Sequence, residues 1–223
     1  MVDAGGAAAE QVGAEQDDTT ATGRRVVLLH GLWMPRLSMQ WHARQLRRAG
    51  FNPVLIGYAG IAGGPEAAIS GLRATLHEPC DILAHSLGGL IAVQALERDP
   101  ALPVRRVVCL GSPLCGSAAA RGMGRFGLGS ASLGRSADLL RDGCGPWQGP
   151  AQLGVVAGNL GLGLGRVFGR FSGGNDGSVA VDETRLAGES DHIVLPTSHS
   201  GMLLSPQVSA QAIHFLAHGR FEH

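Results

Sequence analysis

Short, uninterrupted apolar runs recur along the chain, and longer stretches of mixed polarity separate them. Residues 26–29 (VVLL) illustrate the first kind, because apolar residues follow one another with no polar residue between them. A continuous run of this length is typical of a strand that is buried on both faces of a parallel sheet. The same reasoning predicts strands at residues 26–29, 53–56, 81–83, 107–110, 155–157 and 193–195.

The intervening stretches predict helices. Residues 39–49 are amphipathic and end at Gly50, and residues 65–77 begin with a proline, which favours the first turn of a helix. Residues 87–98 and 205–217 complete the set. Strands that alternate with helices predict a doubly wound α/β fold, with a mostly parallel sheet of roughly six strands and helices on both of its faces.

One domain is expected after an N-terminal tail. Residues 1–23 are rich in Ala, Gly, Thr and Asp and lack the basic start and apolar core of a secretory signal, so we expect a disordered tail. Residues 24–223 form the domain, in which the glycine-rich stretch 117–150 predicts a short, cap-like excursion. No apolar run reaches the roughly 18 residues that span a bilayer. We therefore expect a cytoplasmic protein without an integral membrane segment.

Composition and charge narrow the classes of partner. Hydrophobic residues make up 44% of the 223 positions, which is enough for a sizeable core. Lys plus Arg and Asp plus Glu both number 18, so the chain lacks the positive charge of a nucleic-acid surface. The histidines show no metal-ligand spacing, and no metal is expected. The four cysteines show no C-x-x-C spacing, and we expect reduced thiols; a bridge from Cys115 to Cys109 or Cys144 is the alternative.

The segment 81–89 (DILAHSLGG) carries the clearest chemical signal. A predicted strand leads through Ala84 and His85 to Ser86, and a predicted helix starts directly afterwards at Leu87. This arrangement resembles the nucleophile elbow G-x-S-x-G, in which a strained turn projects the serine hydroxyl above the sheet. Ala84 replaces the first glycine but is small, so strand and helix can still approach closely. The alternative is an ordinary serine at a helix N-cap.

A serine hydroxyl becomes a good nucleophile only when a base takes its proton. His199 is the candidate base, because it lies in the loop after the last predicted strand, and parallel sheets place their sites at the carboxyl ends of the strands. Asp176, in the turn GGNDG, is the candidate acid that would fix the histidine tautomer. The competing acids are Asp182 and Asp191.

Two further sets of residues flank these motifs. The sequence His30-Gly31-Leu32 directly follows the first predicted strand and looks like an H-G oxyanion loop, in which the backbone N–H groups of Leu32 and Leu87 would hold the developing negative oxygen. Apolar residues next to the motifs are candidates for an acyl-binding slot, and membership of the core is the alternative for each. These residues are Trp33, Met34, Leu87, Leu114 and Met202.

Together these motifs resemble the lid-less minimal lipases and esterases of the α/β-hydrolase family. The run 173–204, with NDGSVAVDET and PTSHSGML, is similar to bacterial hydrolases near the GPI inositol-deacylase-like branch. The resemblance covers about residues 24–221. It implies an α/β-hydrolase fold and the hydrolysis of a small hydrophobic carboxylic ester through an acyl-enzyme, with Ser86, His199 and Asp176 as the triad and without a cofactor.

Two other functions remain open at this point. A thioesterase or an acyltransferase could use the same triad, because an acyl-enzyme can pass its acyl group to other acceptors. A non-enzymatic binding protein with a hydrolase fold is the second alternative, although such proteins typically lack a member of the triad.

Overall fold

A computed structural model of the chain describes residues 23–32, 34–58, 64–118, 120, 136–161 and 173–223. Apart from Gly23, the predicted disordered tail lies outside the described residues. Trp33 and the central part of the predicted excursion, residues 119 and 121–135, also lie outside them.

A single six-stranded parallel sheet forms the centre of the fold, in the order β2-β1-β3-β4-β5-β6. Each predicted apolar run lies within one strand, which confirms the predicted sheet. Because every neighbouring pair is parallel, the carboxyl ends of all the strands meet at one edge. The strands are β1 (Arg25–Leu29), β2 (Asn52–Ile56), β3 (Cys80–His85), β4 (Val104–Leu110), β5 (Gln152–Gly158) and β6 (Asp191–Leu195).

Helices cover both faces of this sheet, as predicted. Those within the described residues are α1 (Gln40–Arg48), α2 (Gly64–Arg73), α3 (Leu87–Arg98), α4 (Ala137–Asp142), α5 (Val181–Thr184) and α6 (Pro206–His218). Two 3₁₀ turns, Arg36–Met39 and Gly201–Leu204, precede α1 and α6. None of the described helices is both long and apolar enough to cross a membrane.

Alternate residues of the strands pack on opposite faces, which explains why the runs are continuously apolar. In β1, Val27 and Leu29 join a cluster with side chains of α2 and α3, whereas Val26 and Leu28 join a cluster with side chains of α1 and α6. All four side chains are buried. Burial on both faces is the reason that a parallel strand needs no polar positions.

The helix predicted at 65–77 ends earlier, at Arg73. The backbone N–H and the hydroxyl of Thr75 both bond to the carbonyl of Leu72, so the chain tightens into a turn there. The short helices α4 and α5 were not predicted from the sequence. A helix of this length is not stable by itself and forms through its tertiary contacts, and those leave no periodic pattern in the sequence.

Candidate active site

Ser86 lies at the sharp turn between β3 and α3, and its backbone is strained. Its φ of 55° and ψ of −122° make it the one non-glycine residue with positive φ in the described part of the chain. Such a conformation costs about 1–3 kcal/mol and persists only where the surroundings fix it. Here the Ser86 N–H donates to the carbonyl of Leu110 at the end of β4, at 2.9 Å. The turn has the geometry that the elbow motif predicts.

Glycine is required just after Ser86 because two other segments lie against the start of α3. A Cβ atom on Gly88 would lie 2.8 Å from the carbonyl oxygen of His30. A Cβ on Gly89 would lie 2.1 Å from the hydroxyl of Ser112. On the other side of the turn, Ala84 has no exposed surface. The small residues of the motif thus allow strand, helix and the loop after β1 to meet at Ser86.

His199 and Asp176 are in direct contact. The Nδ1 atom of His199 lies 2.7 Å from Oδ2 of Asp176, and the backbone N–H of His199 donates to the Asp176 carbonyl at 2.9 Å. An ionised carboxylate can only accept, so Nδ1 carries the proton and donates it to Oδ2. The lone pair of the ring therefore lies on Nε2, where it can accept a proton.

Backbone groups hold the Asp176 carboxylate in place. Its Oδ1 atom accepts from the N–H groups of Ser178 and Val179, at 2.8 and 2.7 Å. The Asp176 side chain is buried, and these bonds replace the water that a carboxylate loses on burial. The turn GGNDG consequently places one carboxylate oxygen against the backbone and the other against His199.

Gly111 lies where the strand ends meet the acid and the base. It directly follows Leu110, the acceptor for Ser86, and has a positive φ of 54°. A Cβ on Gly111 would lie 3.0 Å from Oδ2 of Asp176 and 3.1 Å from Nδ1 of His199. The end of β4 therefore contacts both the turn of Ser86, through the carbonyl of Leu110, and the Asp176–His199 pair, through Gly111.

The competing acids lie elsewhere. Asp182 is exposed on the first turn of α5. Asp191 begins β6, at the amino edge of the sheet, and accepts from the N–H groups of His192 and Phe221 and from His223. Neither is in hydrogen-bond contact with His199. Among the three carboxylates considered, only that of Asp176 meets the candidate base.

Of the two predicted oxyanion donors, Leu87 directly follows Ser86, and Leu32 follows Gly31, which lies close to Ser86. Leu87 begins α3, and the first N–H groups of a helix have no acceptor within it. The loop after β1 approaches from the other side, because a Cβ on Gly31, the residue before Leu32, would lie 3.1 Å from Cβ of Ser86. Tyr58 holds this loop: its hydroxyl donates to the carbonyl of His30, and the two rings stack at 4.3 Å.

The predicted acyl-slot residues divide into two groups. Met34 is half-buried in the loop after β1. Leu87, Leu114 and Met202 have no exposed surface, and this favours the alternative in which they belong to the core. The sulfur of Met202 is nevertheless close to Gly111, since it would lie 3.0 Å from a Cβ placed there.

Sequence reasoning missed Tyr58 and His85, which contact the loops of the site, and also His42, whose contacts are with Met202 and Ser209 and not with the predicted triad. The Nε2 atom of His85 lies 3.1 Å from the carbonyl oxygen of His199, and the two rings are 4.7 Å apart. The Nε2 atom of His42 lies 3.0 Å from the carbonyl of Met202. Burial lowers the pKa of His42 to about 4, so this ring is neutral near pH 7. A polar residue beside Ser86 in the motif was the available signal for His85.

Solved structures of low sequence identity share this architecture. The mature form of a lipase from Bacillus licheniformis, BlEst2, is 17% identical, with a TM-score of 0.68, and the match covers 88% of this chain and 91% of the lipase. The chain has the α/β-hydrolase fold. No protein-family model and no curated protein matches the sequence itself.

Two other α/β-hydrolase structures are also similar to this chain. An esterase from Exiguobacterium antarcticum is 15% identical, with a TM-score of 0.54, and the match covers 82% of this chain and 87% of the esterase. Phospholipase PlaB from Legionella pneumophila is 15% identical, with a TM-score of 0.59, and the match covers 87% of this chain and 56% of PlaB. At these identities the likeness establishes the fold.

Proposed function

We propose that this chain is a serine hydrolase that cleaves carboxylic esters through an acyl-enzyme. Ser86 is the nucleophile, His199 the general base and Asp176 the residue that orients the base. The observation that carries the proposal is the 2.7 Å contact between His199 and the buried carboxylate of Asp176, at the same sheet edge as the strained turn of Ser86. Serines and histidines that only face solvent are not expected to combine a strained serine backbone, a histidine–carboxylate contact and a shared sheet edge.

In the first half of the proposed reaction, Nε2 of His199 takes the proton of the Ser86 hydroxyl while Oγ attacks the ester carbonyl carbon. The carbonyl oxygen becomes negative, and the backbone N–H groups of Leu32 and Leu87 stabilise it. The tetrahedral intermediate then collapses, and His199 returns its proton to the leaving alcohol. Asp176 stays ionised throughout and stabilises the charged imidazolium.

In the second half, water attacks the acyl-enzyme. His199 takes a proton from the water, and the resulting hydroxide adds to the acyl carbonyl carbon. Collapse of the second tetrahedral intermediate breaks the bond to Ser86, and the proton on His199 passes back to Oγ. The products are a carboxylic acid and the free enzyme, and no cofactor takes part.

An ester with a hydrophobic acyl group is the proposed substrate class. The related folds named as a lipase, an esterase and a phospholipase support ester chemistry. The half-buried Leu32 and Met34 offer apolar surface on the loop beside Ser86. The resemblance to GPI inositol-deacylase-like hydrolases stays a prediction.

A fluorophosphonate probe, which reacts with activated serines, tests this proposal. We expect the wild type to label and to hydrolyse nitrophenyl esters, and Ser86→Ala to lose labelling and to lose turnover by about 10⁴-fold or more. Ser200→Ala is the matched control, because Ser200 is an exposed serine next to His199, and it should label like the wild type. Labelling retained in Ser86→Ala would refute the nucleophile. A thioester in the substrate panel separates a thioesterase from an esterase.

A further inference from the structure

His85, the residue before Ser86, has a fully buried side chain that lies between two loops of the site. On one side, its Nε2 atom is 3.1 Å from the backbone carbonyl oxygen of His199. On the other side, a Cβ on Gly31 would lie 3.0 Å from its Nδ1 atom. The His85 ring thus fills the space between the loop after β1 and the loop that carries His199.

The contact with the carbonyl of His199 defines the protonation of the ring. A carbonyl oxygen can only accept, so Nε2 of His85 carries the proton and donates it. Burial, and secondly the electrostatic effect of the nearby His199, hold the pKa of His85 well below its usual range. The ring is therefore neutral, and its Nδ1 lone pair has no partner among the described groups. A buried nitrogen without a partner is costly, and the contact of Nε2 with the His199 carbonyl is the one hydrogen bond of this ring among the described groups.

Both backbone groups of His199 are consequently held. Its N–H donates to the carbonyl of Asp176, and its C=O accepts from His85. The first contact comes from the acid side of the site, and the second comes from the strand that ends in Ser86. The position of the His199 backbone is thereby tied directly to the elbow, one residue away from the hydroxyl whose proton the ring would accept.

We propose that His85 is a positioning residue that sets the place of His199 relative to Ser86. This inference rests on the proposed function, since it assigns His199 the role of base. His85 does not touch the reacting atoms. It acts through the carbonyl of His199, and its side chain must combine sufficient length with an N–H donor at its end.

His42, on α1, provides a matched comparison, because it contacts the 3₁₀ turn Gly201–Leu204 that directly follows the loop of His199. It is also a buried neutral histidine, its Nε2 atom donates to the carbonyl of Met202, and its Nδ1 atom pairs with Ser209. It contacts neither the elbow nor the backbone of His199. If buried histidines only stabilise this loop, substitutions at positions 42 and 85 should have the same consequence.

The test compares three substitutions. His85→Gln keeps an N–H donor at a similar reach, whereas His85→Met keeps the bulk and removes the donor. His42→Met is the control. We expect kcat for a nitrophenyl ester to fall about 10- to 100-fold in His85→Met, because a misplacement of about 1 Å has this effect. KM should stay within about threefold, and His85→Gln and His42→Met should keep kcat within about threefold of the wild type.

Ring NMR supplies a readout that does not need turnover. The His199 ring signals, identified by their loss in His199→Gln, should be a single sharp set with Nδ1 protonated in the wild type and in His85→Gln. They should be broadened or doubled in His85→Met. If His85→Met fails to fold by circular dichroism, His85→Asn replaces it, because its amide is too short to reach the carbonyl.

The outcomes separate the two proposals. An inactive, unlabelled wild type would refute the proposed function, and the ring spectra alone would then decide the role of His85. An active wild type with unchanged kcat and unchanged His199 signals in His85→Met would overturn the positioning role and leave the proposed function intact. Equal losses of kcat in His85→Met and His42→Met would also overturn it, because a general stabilising effect of buried histidines would then explain both losses.

Discussion

At the scale of single residues, the two oxygens of the Asp176 carboxylate bond to different partners. Oδ1 accepts from two backbone N–H groups, and Oδ2 faces His199. An asparagine at this position would keep its oxygen on the two N–H donors, because an NH₂ group there would face other donors. Its NH₂ group would then face Nδ1 of His199 and force the proton of the ring onto Nε2.

Asp176→Asn should therefore preserve the fold and reduce kcat by up to about 10⁴-fold, since the wrong tautomer cannot accept the serine proton. The matched control is Asp182→Asn, an exposed acid close by in the sequence, which should change the free energy of unfolding by no more than about 0.5 kcal/mol and leave kcat unaffected. For both variants, kcat is measured at saturating substrate, and circular dichroism confirms that the protein is folded. A crippled Asp182→Asn beside a normal Asp176→Asn would show that the acid was wrongly assigned.

At this scale, some residues of the candidate site could be predicted from the sequence and others could not. Ser86 was predictable because its motif dictates a local backbone geometry. Asp176 and His199 are 23 positions apart, and only chain order and strand position indicated them. The contacts of His85 and Tyr58 could not be predicted, because both reach carbonyl groups of distant loops whose positions depend on the whole sheet. The triad assignment itself stays a prediction.

At the scale of elements, the start of α3 is packed tightly against the end of β1 and the loop that follows it. The helix approaches the backbone of the loop after β1 so closely that Gly88 has no room for a side chain. The neighbouring atoms belong to the backbone and the Cβ of another element, so they cannot move aside as a flexible side chain would.

Gly88→Ala should therefore lower the free energy of unfolding by about 1–3 kcal/mol, as expected for overpacking. Gly71→Ala is the matched control within a helix. A Cβ on Gly71 meets nothing within 4 Å, so this change should raise stability by about 0.5–1 kcal/mol through the lower flexibility of alanine. Urea unfolding measures both. An unaffected Gly88→Ala protein would mean that helix and loop lie farther apart than described.

Element prediction succeeded where burial leaves a simple pattern. All six strands and the four long helices were predicted, because strands buried on both faces must be continuously apolar. The bounds differed most for α2, where local bonds of Thr75 end the helix. Helices of four or six residues, such as α5 and α4, were missed because they depend on neighbours brought close by the fold.

At the scale of the whole molecule, buried neutral histidines couple stability to pH. Burial lowers the pKa of His42 to about 4 and also lowers the pKa of His192 to about 4. In the unfolded chain a histidine takes up its proton near pH 6.5. The unfolded state therefore binds more protons between these values, and stability is lost as the pH falls from about 6.5 to about 4.

We expect His42 alone to account for up to about 3 kcal/mol of this loss. His42→Gln can still donate to the carbonyl of Met202 but cannot titrate, so its stability should vary less with pH over the same interval. Urea unfolding of both proteins at about pH 7.5 and about pH 4.5 gives the comparison. Parallel losses in the two proteins would show that His42 is not the titrating group.

Several whole-molecule expectations from the sequence stay predictions. They are the extent of the domain, the cytoplasmic location and the nature of the ester. The hydrophobic pattern predicts the sheet, and the sheet determines the edge at which the loops converge. The shape of a substrate pocket depends instead on contacts between loops, and these contacts leave no periodic pattern in the sequence.

The parallel sheet also separates the two ends of the described chain from the candidate site. Arg24, just before β1, donates to the carbonyl of Leu216 near the end of α6, so both segments meet at the amino edge of the strands. Ser86 lies at the opposite, carboxyl edge. A protein tethered to a solid support through residues before Arg24 or after α6 would therefore present the Ser86 edge to the medium. Because these two segments are close together, a short peptide could also join them. New chain ends could then be made in a surface loop, which would give a circularly permuted protein.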